Sequence, residues 1–219
     1  ARISGVKTNV GIFKAKKTIV AAGAWIPRLL DPTGIDCHIK AKKRQVFSIR
    51  AETSELKNLL HVKGYSNENA MPFLILPKPR IWIRGVVEEN AFWIGLADEF
   101  PRAFKVEDDP MPEEAFYENG LYRVVSAYLP QFKGRKPYTS WAGLYGISTI
   151  DKMPIIFEEH DVIVVGGMTG YGIQQADAMG RIAAALYAEE KYAELYRGVK
   201  FKVKDLSVKE RNVEKEKRN

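Results

Sequence analysis

Four glycines between residues 161 and 172, in the segment DVIVVGGMTGYG, are the strongest indication of a ligand site in this chain. Residues 162–165 are a short apolar, β-branched run, which is typical of a strand covered on both faces. The glycines at 166, 167, 170 and 172, which we call the glycine turn (residues 166–172), lack the Cβ atoms that would keep a flat ligand away from the backbone. A helix predicted over residues 172–189 would point its free N–H groups and positive dipole end at that ligand. The expected ligand therefore carries negative charge or electron-rich oxygens.

A nicotinamide dinucleotide is the first candidate for this ligand, and the glycine spacing disfavours it. Such a site requires G-x-G-x-x-G at the start of a βαβ unit, with an acidic residue about twenty positions further on. Here Gln175 follows Gly172 by three residues, and residues 187–196 predict a continued helix with no strand after it. A glycine-rich turn that binds no ligand is the remaining alternative for this segment.

Patterns for other kinds of active site are absent from the sequence. His38, His61 and His160 are isolated and share no metal-ligand spacing with Cys37, the single cysteine. There is no G-x-S-x-G motif and no phosphate-binding P-loop. The acidic run at residues 107–109 predicts a loop before a helix start. We therefore expect neither a metal ion nor a protein nucleophile.

Composition and charge exclude further classes of protein. An apolar content of 46% and a charged content of 28% fit a soluble globular protein, and no apolar run of about eighteen residues predicts a membrane span. Residues 1–50 hold eleven Lys and Arg against two Asp, whereas residues 51–120 hold seven against thirteen acidic residues. Since the acidic middle would repel phosphates, we expect no nucleic-acid binding. The single cysteine indicates a reducing, cytoplasmic location, and the many Lys and Glu residues suit a thermophile.

Short strands dominate the elements predicted on either side of the turn. Residues 6–13 and 17–20 predict a hairpin-like pair with one buried face, and residues 18–25 a buried strand that ends in small residues. Between residues 40 and 97, apolar runs separated by Gly, Pro and Asn predict an antiparallel sheet.

One further helix and a charged tail complete the prediction. The helix begins at Pro110 and runs to about Tyr128, and Pro130 ends it. Residues 200–219 are rich in charge and poor in apolar anchors, which predicts a solvated or frayed end.

Four segments, in this order, resemble the D-amino-acid-oxidase-like flavoenzymes, which include sarcosine oxidase, glycine oxidase and dye-linked proline dehydrogenase. They are TIVAAGAW at residues 18–25, WAGLY at 141–145, DKMPII at 151–156 and GGMTGYG at 166–172. The resemblance extends to about residue 206. It implies an α+β or α/β fold, in which an incomplete FAD/NAD(P)-binding domain of the glutathione-reductase type is combined with an antiparallel-sheet substrate domain.

The resemblance also implies a division of the chain into domains. Residues 1–37 would be part of the FAD-binding domain, 38–137 the substrate domain, 138–199 a return to the FAD-binding domain, and 200–219 a charged tail. The family's amino-terminal βαβ unit, which holds the adenosine and pyrophosphate of FAD, has no counterpart in these residues. We therefore expect a fragment, a split-gene product or one half of a two-chain enzyme, which is inactive alone and has that unit as its missing partner.

The cofactor implied by the resemblance is non-covalent FAD, because Gly143 stands where some of these oxidases carry a flavin-linked cysteine. The residues expected to contact it lie at the end of the first motif, in WAGLY, and along the glycine turn. They are Ala22, Gly23, Ala24, Trp25, Gly143, Leu144, Gly167, Met168, Thr169, Gly170, Tyr171, Gly172 and Ile173.

Three residues are predicted to act on the substrate. Tyr145 stands where family members place a substrate-contacting tyrosine. Gln174 replaces the carboxylate-binding lysine of sarcosine oxidases, so Arg84 is our candidate for the cation that pairs with a substrate carboxylate. A plain surface arginine is the alternative interpretation of Arg84.

The predicted reaction is oxidation of a C–N bond in a small amino acid such as sarcosine, glycine or proline. Trp93 approximately matches a lysine that activates oxygen in the oxidases, and loss of that ammonium favours a dehydrogenase; a core tryptophan is the alternative. A non-catalytic or degenerate chain of this fold, acting as a partner-binding module, is the second hypothesis for the whole chain.

Overall fold

The computed structural model describes residues 2–96 and 102–213, which are arranged as two compact units. Unit 1 consists of Ala1–Lys42, Phe104–Val106 and Tyr145–Asn219, and unit 2 of Lys43–Ala103 and Glu107–Leu144. Ala97, with which the predicted strand-rich region ends, and residues 214–219 of the predicted tail lie outside the described residues. The chain is a mixed α/β protein with several sheets.

The strands of the described residues fall into four sheets. They are β1 (Gly5–Thr8), β2 (Gly11–Lys14), β3 (Thr18–Val20), β4 (Ile39–Arg50), β5 (Leu74–Ile75), β6 (Ile81–Val86), β7 (Ala91–Leu96), β8 (Thr139–Ser148), β9 (Ile155–Glu159), β10 (Val162–Gly166), β11 (Tyr192–Glu194) and β12 (Lys200–Lys202). The sheets have the strand orders β1-β2, β3-β10-β9, β11-β12 and β5-β6-β7-β4-β8.

The helices of the described residues are short apart from the last α-helix. The α-helices are α1 (Ile26–Leu30), α2 (Ser54–Leu60), α3 (Glu114–Phe116), α4 (Arg123–Tyr128) and α5 (Gly172–Tyr187), with a π-helical segment (Tyr117–Tyr122) between α3 and α4. Turns of 3₁₀-helix occupy Gly23–Trp25, Asp31–Thr33, Pro130–Phe132, Tyr196–Gly198 and Val203–Leu206.

Strand β10 is the centre of unit 1 and is buried along its whole length. It runs parallel to β3 and antiparallel to β9. Because side chains alternate along a strand, Ile163 and Val165 pack against α5, whereas Val162 and Val164 pack on the other face with α1. The prediction of a strand covered on both faces is therefore confirmed.

The first strands pair differently from the prediction. β1 and β2 form the hairpin, with Val6 opposite Phe13, and β3 instead joins β10 in the central sheet. The hairpin is exposed on both faces within the described residues, so the predicted buried face is absent there. The region 18–25 is only partly strand, since β3 ends at Val20 and Gly23–Trp25 is a 3₁₀ turn.

The described residues after α5, up to residue 213, contain more regular structure than predicted. α5 ends at Tyr187, and β11 pairs with β12, so a strand does follow the helix, although in a separate two-stranded sheet. Val203 and Leu206 are buried against α5, which corrects the prediction of a solvated tail for this part of residues 200–219. The charged residues around them concealed these two apolar anchors.

Unit 2 is built on the antiparallel pairs β5–β6, β6–β7 and β7–β4. One face of this sheet forms the core with α2 and the helical residues 114–128. Ile81 and Ile83 point into that core, whereas Trp82 and Arg84 alternate to the other face. The predicted antiparallel sheet is thus confirmed for the strands within the described residues.

A charged cluster holds the segment before α3 against β4. We call Lys43, Gln45, Arg102 and Glu113 the Glu113 cluster. Arg102 donates two hydrogen bonds to the Glu113 carboxylate, at 3.0 and 2.7 Å, and Lys43 donates a third at 2.7 Å. Gln45 accepts from the Glu113 backbone N–H at 2.6 Å. The paired cations, Arg102 first and Lys43 second, lower the pKa of Glu113 to about 2.

The cluster explains why the helix begins later than predicted. Glu113 has extended backbone angles, φ −114° and ψ 115°, and α3 starts only at Glu114. Met111 precedes Pro112, and a residue before proline is disfavoured in helical conformation. The end at Tyr128, before Pro130, agrees with the prediction.

Candidate cofactor site

Three of the sequence motifs meet in unit 1 around the glycine turn. The backbone N–H of Thr169 donates to the Gly146 carbonyl at 3.2 Å, and Ile147 and Met168 form an isolated antiparallel bridge. A Cβ atom added to Gly146 would lie 3.2 Å from the carbonyl carbon of Gly23. The end of β8, the 3₁₀ turn Gly23–Trp25 and the glycine turn are therefore in direct contact.

The glycine turn has an unusual backbone conformation at three positions. Gly167, Thr169 and Gly170 have φ angles of 69°, 51° and 97°. The Thr169 hydroxyl donates to the Gly167 carbonyl at 2.9 Å and accepts from the Ser148 N–H at 3.3 Å. These bonds hold a non-glycine residue in the left-handed region, which otherwise costs about 1–3 kcal/mol.

Contacts within the chain, rather than a ligand, account for two of the turn glycines. A Cβ atom on Gly170 would lie 2.5 Å from the ring of Tyr145, in addition to the strain of its positive φ. A Cβ atom on Gly167 would lie 3.2 Å from the Cβ atom of Ser148, and Gly167 also has a positive φ. Both glycines are therefore required by the folded chain itself.

The remaining two glycines differ from each other. A Cβ atom on Gly166 would lie 2.6 Å from Ile26 and 2.7 Å from Ile39, so this glycine makes room for core side chains. A Cβ atom on Gly172 would have the Cβ atom of Met168 as its nearest neighbour, at 3.9 Å. The φ angle of Gly172 is one that any residue can adopt. Only Gly172 fits the argument that a turn glycine lets a ligand approach the backbone. Retention of the four glycines therefore does not by itself separate a cofactor site from a non-catalytic chain.

The N-terminus of α5 is open and has apolar side chains beside it. The N-cap residue Tyr171 makes no side-chain capping bond, and the first turn contains no acidic residue. Ile173 is 96% exposed and Tyr171 is 59% exposed. Free N–H groups and the helix dipole attract negative charge, and apolar flanks favour a ring system. A planar, electron-rich ligand fits this surface.

A buried polar atom in the same helical turn supports that fit. The side-chain oxygen of Gln175 is buried and has no hydrogen-bond partner among the described residues. An unsatisfied buried acceptor costs about 1–3 kcal/mol, so a donor on a ligand would stabilise it. The sequence prediction chose the neighbouring Gln174, whose side chain is exposed. No local pattern distinguishes these two glutamines, because only the tertiary fold buries one of them.

The other predicted cofactor residues have varied surroundings. Ala24 is buried, whereas Trp25 and Tyr145 are each 39% exposed. Met168 packs on the apolar cluster between β10 and α5, so its side chain serves the core of unit 1. Gly143 and Leu144 lie on the part of β8 that belongs to unit 2, and a Cβ atom on Gly143 would meet nothing within 4 Å.

Arg84 and Trp93 lie side by side on the open face of the unit 2 sheet. They are cross-strand partners on β6 and β7, and the guanidinium is 5.4 Å from the centre of the indole ring. Trp141 meets Trp93 edge to face at 5.0 Å, and Glu89 accepts from the Trp93 N–H at 2.9 Å. This face is aromatic and cationic, which suits a carboxylate with an apolar or cationic substituent.

The described residues contain no grouping of three or more His, Cys, Asp or Glu side chains that suits a metal ion. Burial raises the pKa of the Cys37 thiol, which disfavours the reactive thiolate. Among residues 2–96 and 102–213, none of the helices has the length and apolar character needed to cross a membrane.

The partly parallel sheet and glycine turn of unit 1 and the antiparallel sheet of unit 2 match the fold of solved FAD-dependent oxidoreductases. The family model for FAD dependent oxidoreductases (DAO) matches residues 1–186, and the chain belongs to this family. Among curated proteins, it is 26% identical over 178 residues to FAD-dependent oxidoreductase domain-containing protein 1 of Xenopus laevis, covering 78% of this chain and 34% of that protein. It is also 26% identical over 143 residues to glycine oxidase of Pseudomonas aeruginosa, covering 65% and 33%.

Solved structures agree with this fold. L-proline dehydrogenase from P. horikoshii superposes with a TM-score of 0.66 at 23% identity, covering 94% of this chain and 50% of that one. Glycine oxidase from Geobacillus kaustophilus gives a TM-score of 0.62 at 18% identity, covering 86% and 46%. The chain thus spans about a third of the length of these curated relatives and about half of these solved structures.

Proposed function

We propose that this chain forms part of an FAD-dependent enzyme that oxidises the C–N bond of a small amino acid or amine. Bound FAD would supply the two-electron acceptor for that oxidation. The observation that carries the proposal is the uncapped N-terminus of α5, with the exposed Tyr171 and Ile173 beside it. A helix N-terminus stabilises a nearby anion by about 0.3–2 kcal/mol, which favours a ring that gains negative charge.

Different residues of this chain would make different contacts with the flavin ring. The backbone N–H groups of Gly172 and Ile173 would face the electron-rich edge, and Ile173 would exclude water from it. The buried oxygen of Gln175 would accept a hydrogen bond from a ring N–H. Tyr145, in van der Waals range of the glycine turn, would contact the substrate. We propose a non-covalent site, since Gly143 offers no side chain for attachment.

Arg84 is the proposed partner of the substrate carboxylate. Its exposed guanidinium lies over Trp93 and presents N–H donors in a fixed fork. Trp93 cannot supply the ammonium that an oxygen-activating site uses, which supports a dehydrogenase rather than an oxidase. Arg84→Gln should raise KM for a carboxylate substrate by about tenfold or more. An unchanged KM would show that the carboxylate binds elsewhere.

We further propose that the adenosine and pyrophosphate of FAD bind residues outside these 219. The sequence contains no dinucleotide glycine pattern, and the relatives are two to three times longer than their matched regions. Titration with FAD should therefore be carried out on this chain alone and co-expressed with an amino-terminal FAD-binding segment, with flavin absorbance after gel filtration as the measurement. A colourless mixture would count against the proposal.

Ile173→Asp tests the proposed ring contact while separating it from the stability of the fold. Because Ile173 is almost fully exposed, a carboxylate at this helix N-terminus should raise the free energy of unfolding of the flavin-free protein by about 0.3–1 kcal/mol. The same change should weaken FAD binding by about tenfold or more, because it places a negative charge where the ring must lie.

Val199→Asp is the matched control, since Val199 is an exposed apolar residue outside the turn. It should leave FAD affinity unchanged. Equal FAD affinity in wild type, Ile173→Asp and Val199→Asp would exclude the α5 N-terminus as the flavin contact.

A further inference from the structure

A buried arginine near the carboxyl end of the described chain is bound to the loop that follows β8. The side chain of Arg211 is 6% exposed, and its Nη2 donates to Asp151 Oδ1 at 2.8 Å. Its Nη1 donates to the Pro154 carbonyl at 2.5 Å. The Arg211 Nε is buried and has no hydrogen-bond partner among the described residues. The bonds made by Nη1 and Nη2 must therefore offset the cost of this unsatisfied donor.

One oxygen of Asp151 joins this arginine to the end of β8. Asp151 Oδ1 also accepts from the Met153 N–H at 3.0 Å and from the Ser148 hydroxyl at 3.4 Å. Ser148 is 2% exposed, so its orientation is fixed by these neighbours and not by solvent. A carboxylate that accepts from a cation, an N–H and a hydroxyl holds all three donors in one arrangement.

Ser148 continues the hydrogen-bond network into the glycine turn. Its backbone N–H donates to the Thr169 hydroxyl at 3.3 Å, and that hydroxyl donates to the Gly167 carbonyl at 2.9 Å. Thr169 is the non-glycine residue of the turn held at a positive φ of 51°. The bonds to Thr169 therefore oppose its return to an ordinary backbone conformation.

We propose that Arg211 is a positioning residue for the glycine turn, acting through Asp151, Ser148 and Thr169. Arg211 does not touch the proposed cofactor surface; it keeps the carboxylate of Asp151, and thereby β8 and Thr169, in the arrangement that presents the α5 N-terminus. The effect on FAD rests on the proposed function, whereas the effect on the turn does not.

Hydrogen exchange, resolved by mass spectrometry of peptides, tests the network in the flavin-free protein. Arg211→Met should speed exchange of amides in residues 146–149 and 167–171 by about tenfold, because the bonds that hold them lose their anchor. Exchange within β10 and the centre of α5 should stay unchanged. Arg211→Lys should restore part of the protection, since an ammonium can still bond Asp151 but does not span both acceptors.

Two further variants distinguish positioning from general loss of stability. Arg181→Met removes an exposed arginine that pairs with Asp177 on α5, and it should not alter exchange in the turn. Thr169→Val removes the last hydroxyl in the network, so adding Arg211→Met to it should have little further effect on the turn. Uniformly faster exchange across unit 1, or no change in the turn, would overturn the proposal.

FAD titration of the assembled enzyme then separates the two hypotheses. Arg211→Met should weaken FAD binding and shift the visible flavin spectrum, with Arg211→Lys intermediate. If the wild type binds no FAD but the exchange pattern is as expected, the proposed function fails and the positioning role stands. If FAD binds equally to wild type and Arg211→Met, Arg211 does not position the cofactor surface.

Discussion

The glycine turn and the Glu113 cluster are both fixed by hydrogen bonds, but they differ in what they leave exposed. In the Glu113 cluster every charge is paired: the Glu113 carboxylate accepts from Arg102, Lys43 and Gln45. In the glycine turn the polar groups of Thr169 are satisfied, whereas the adjoining helix N-terminus carries no cap. The first region is closed on itself, and the second ends in an open surface.

This difference separates a structural cluster from a candidate site. Strongly shifted pKa values often mark functional residues, and the pKa of Glu113, at about 2, lies well below its usual range. Here its cause is pairing with cations that hold the segment before α3 against β4. The proposed cofactor surface is recognised instead by the exposed Tyr171 and Ile173 beside an uncapped helix N-terminus. The open helix N-terminus, and not a shifted pKa, is therefore the feature on which the candidate site rests.

The largest expected effect on stability is from Gly170→Ala. Its φ of 97° disfavours any side chain, and the added Cβ would lie 2.5 Å from the Tyr145 ring. We expect the free energy of unfolding to fall by about 2–4 kcal/mol, measured by urea denaturation. A loss below about 0.5 kcal/mol would mean that the turn and Tyr145 separate easily, and the view of the turn as a rigid support would be wrong.

Glu113→Gln should have the next largest effect. It removes the charge that pairs with Lys43, whose side chain is 9% exposed, and with Arg102. Because Glu113 itself is partly exposed, we expect a loss of about 1–3 kcal/mol in the free energy of unfolding. Glu114→Gln is the matched control, because Glu114 is the next residue along the chain and its side chain is exposed. It should lower the free energy of unfolding by no more than about 0.5 kcal/mol.

The same cluster predicts a specific dependence of stability on pH. The folded pKa of about 2 lies below the ordinary value of 4.5, so the stabilisation is present above about pH 4.5 and is lost as pH falls towards 2. Urea denaturation across this window should show a smaller decline for Glu113→Gln than for wild type. Parallel declines would assign the acid sensitivity to other carboxylates.

The parts of the fold that were predictable from sequence are those fixed by local pattern. β10 and α5 follow from an apolar β-branched run, a glycine turn and a long helical period, which need no knowledge of neighbours. The partner of β3 was not predictable in this way, because a parallel pairing with β10 joins residues far apart in sequence. β11 and β12 were missed because each is three residues long and lies among charged residues.

The site shows the same limit at finer scale. Sequence identified the glycine turn but not which glycines serve the fold, since that depends on Tyr145, Ser148 and other side chains from distant segments. Sequence also did not select Gln175 and Arg211. These residues stand out because their polar side-chain atoms are buried, which only the tertiary structure shows. Motifs thus indicated a candidate surface, whereas packing shows which residues serve the fold around it.

Gly172→Ala gives the smallest change in stability and the sharpest test of the open surface. An added Cβ there has 3.9 Å of clearance to Met168 and an ordinary φ, so alanine should be tolerated or raise the free energy of unfolding by up to about 1 kcal/mol. FAD affinity of the assembled enzyme should nevertheless fall, by about tenfold, because the methyl group lies where the ring approaches the backbone. Gly180→Ala is the matched control: it lies on the same helix, with nothing within 4 Å of its added Cβ, and should stabilise similarly without affecting FAD. If both alanine variants bind FAD as tightly as wild type, the freedom at Gly172 has no role in binding, and the contrast between an open turn and a closed cluster would rest on Ile173 and Gln175 alone.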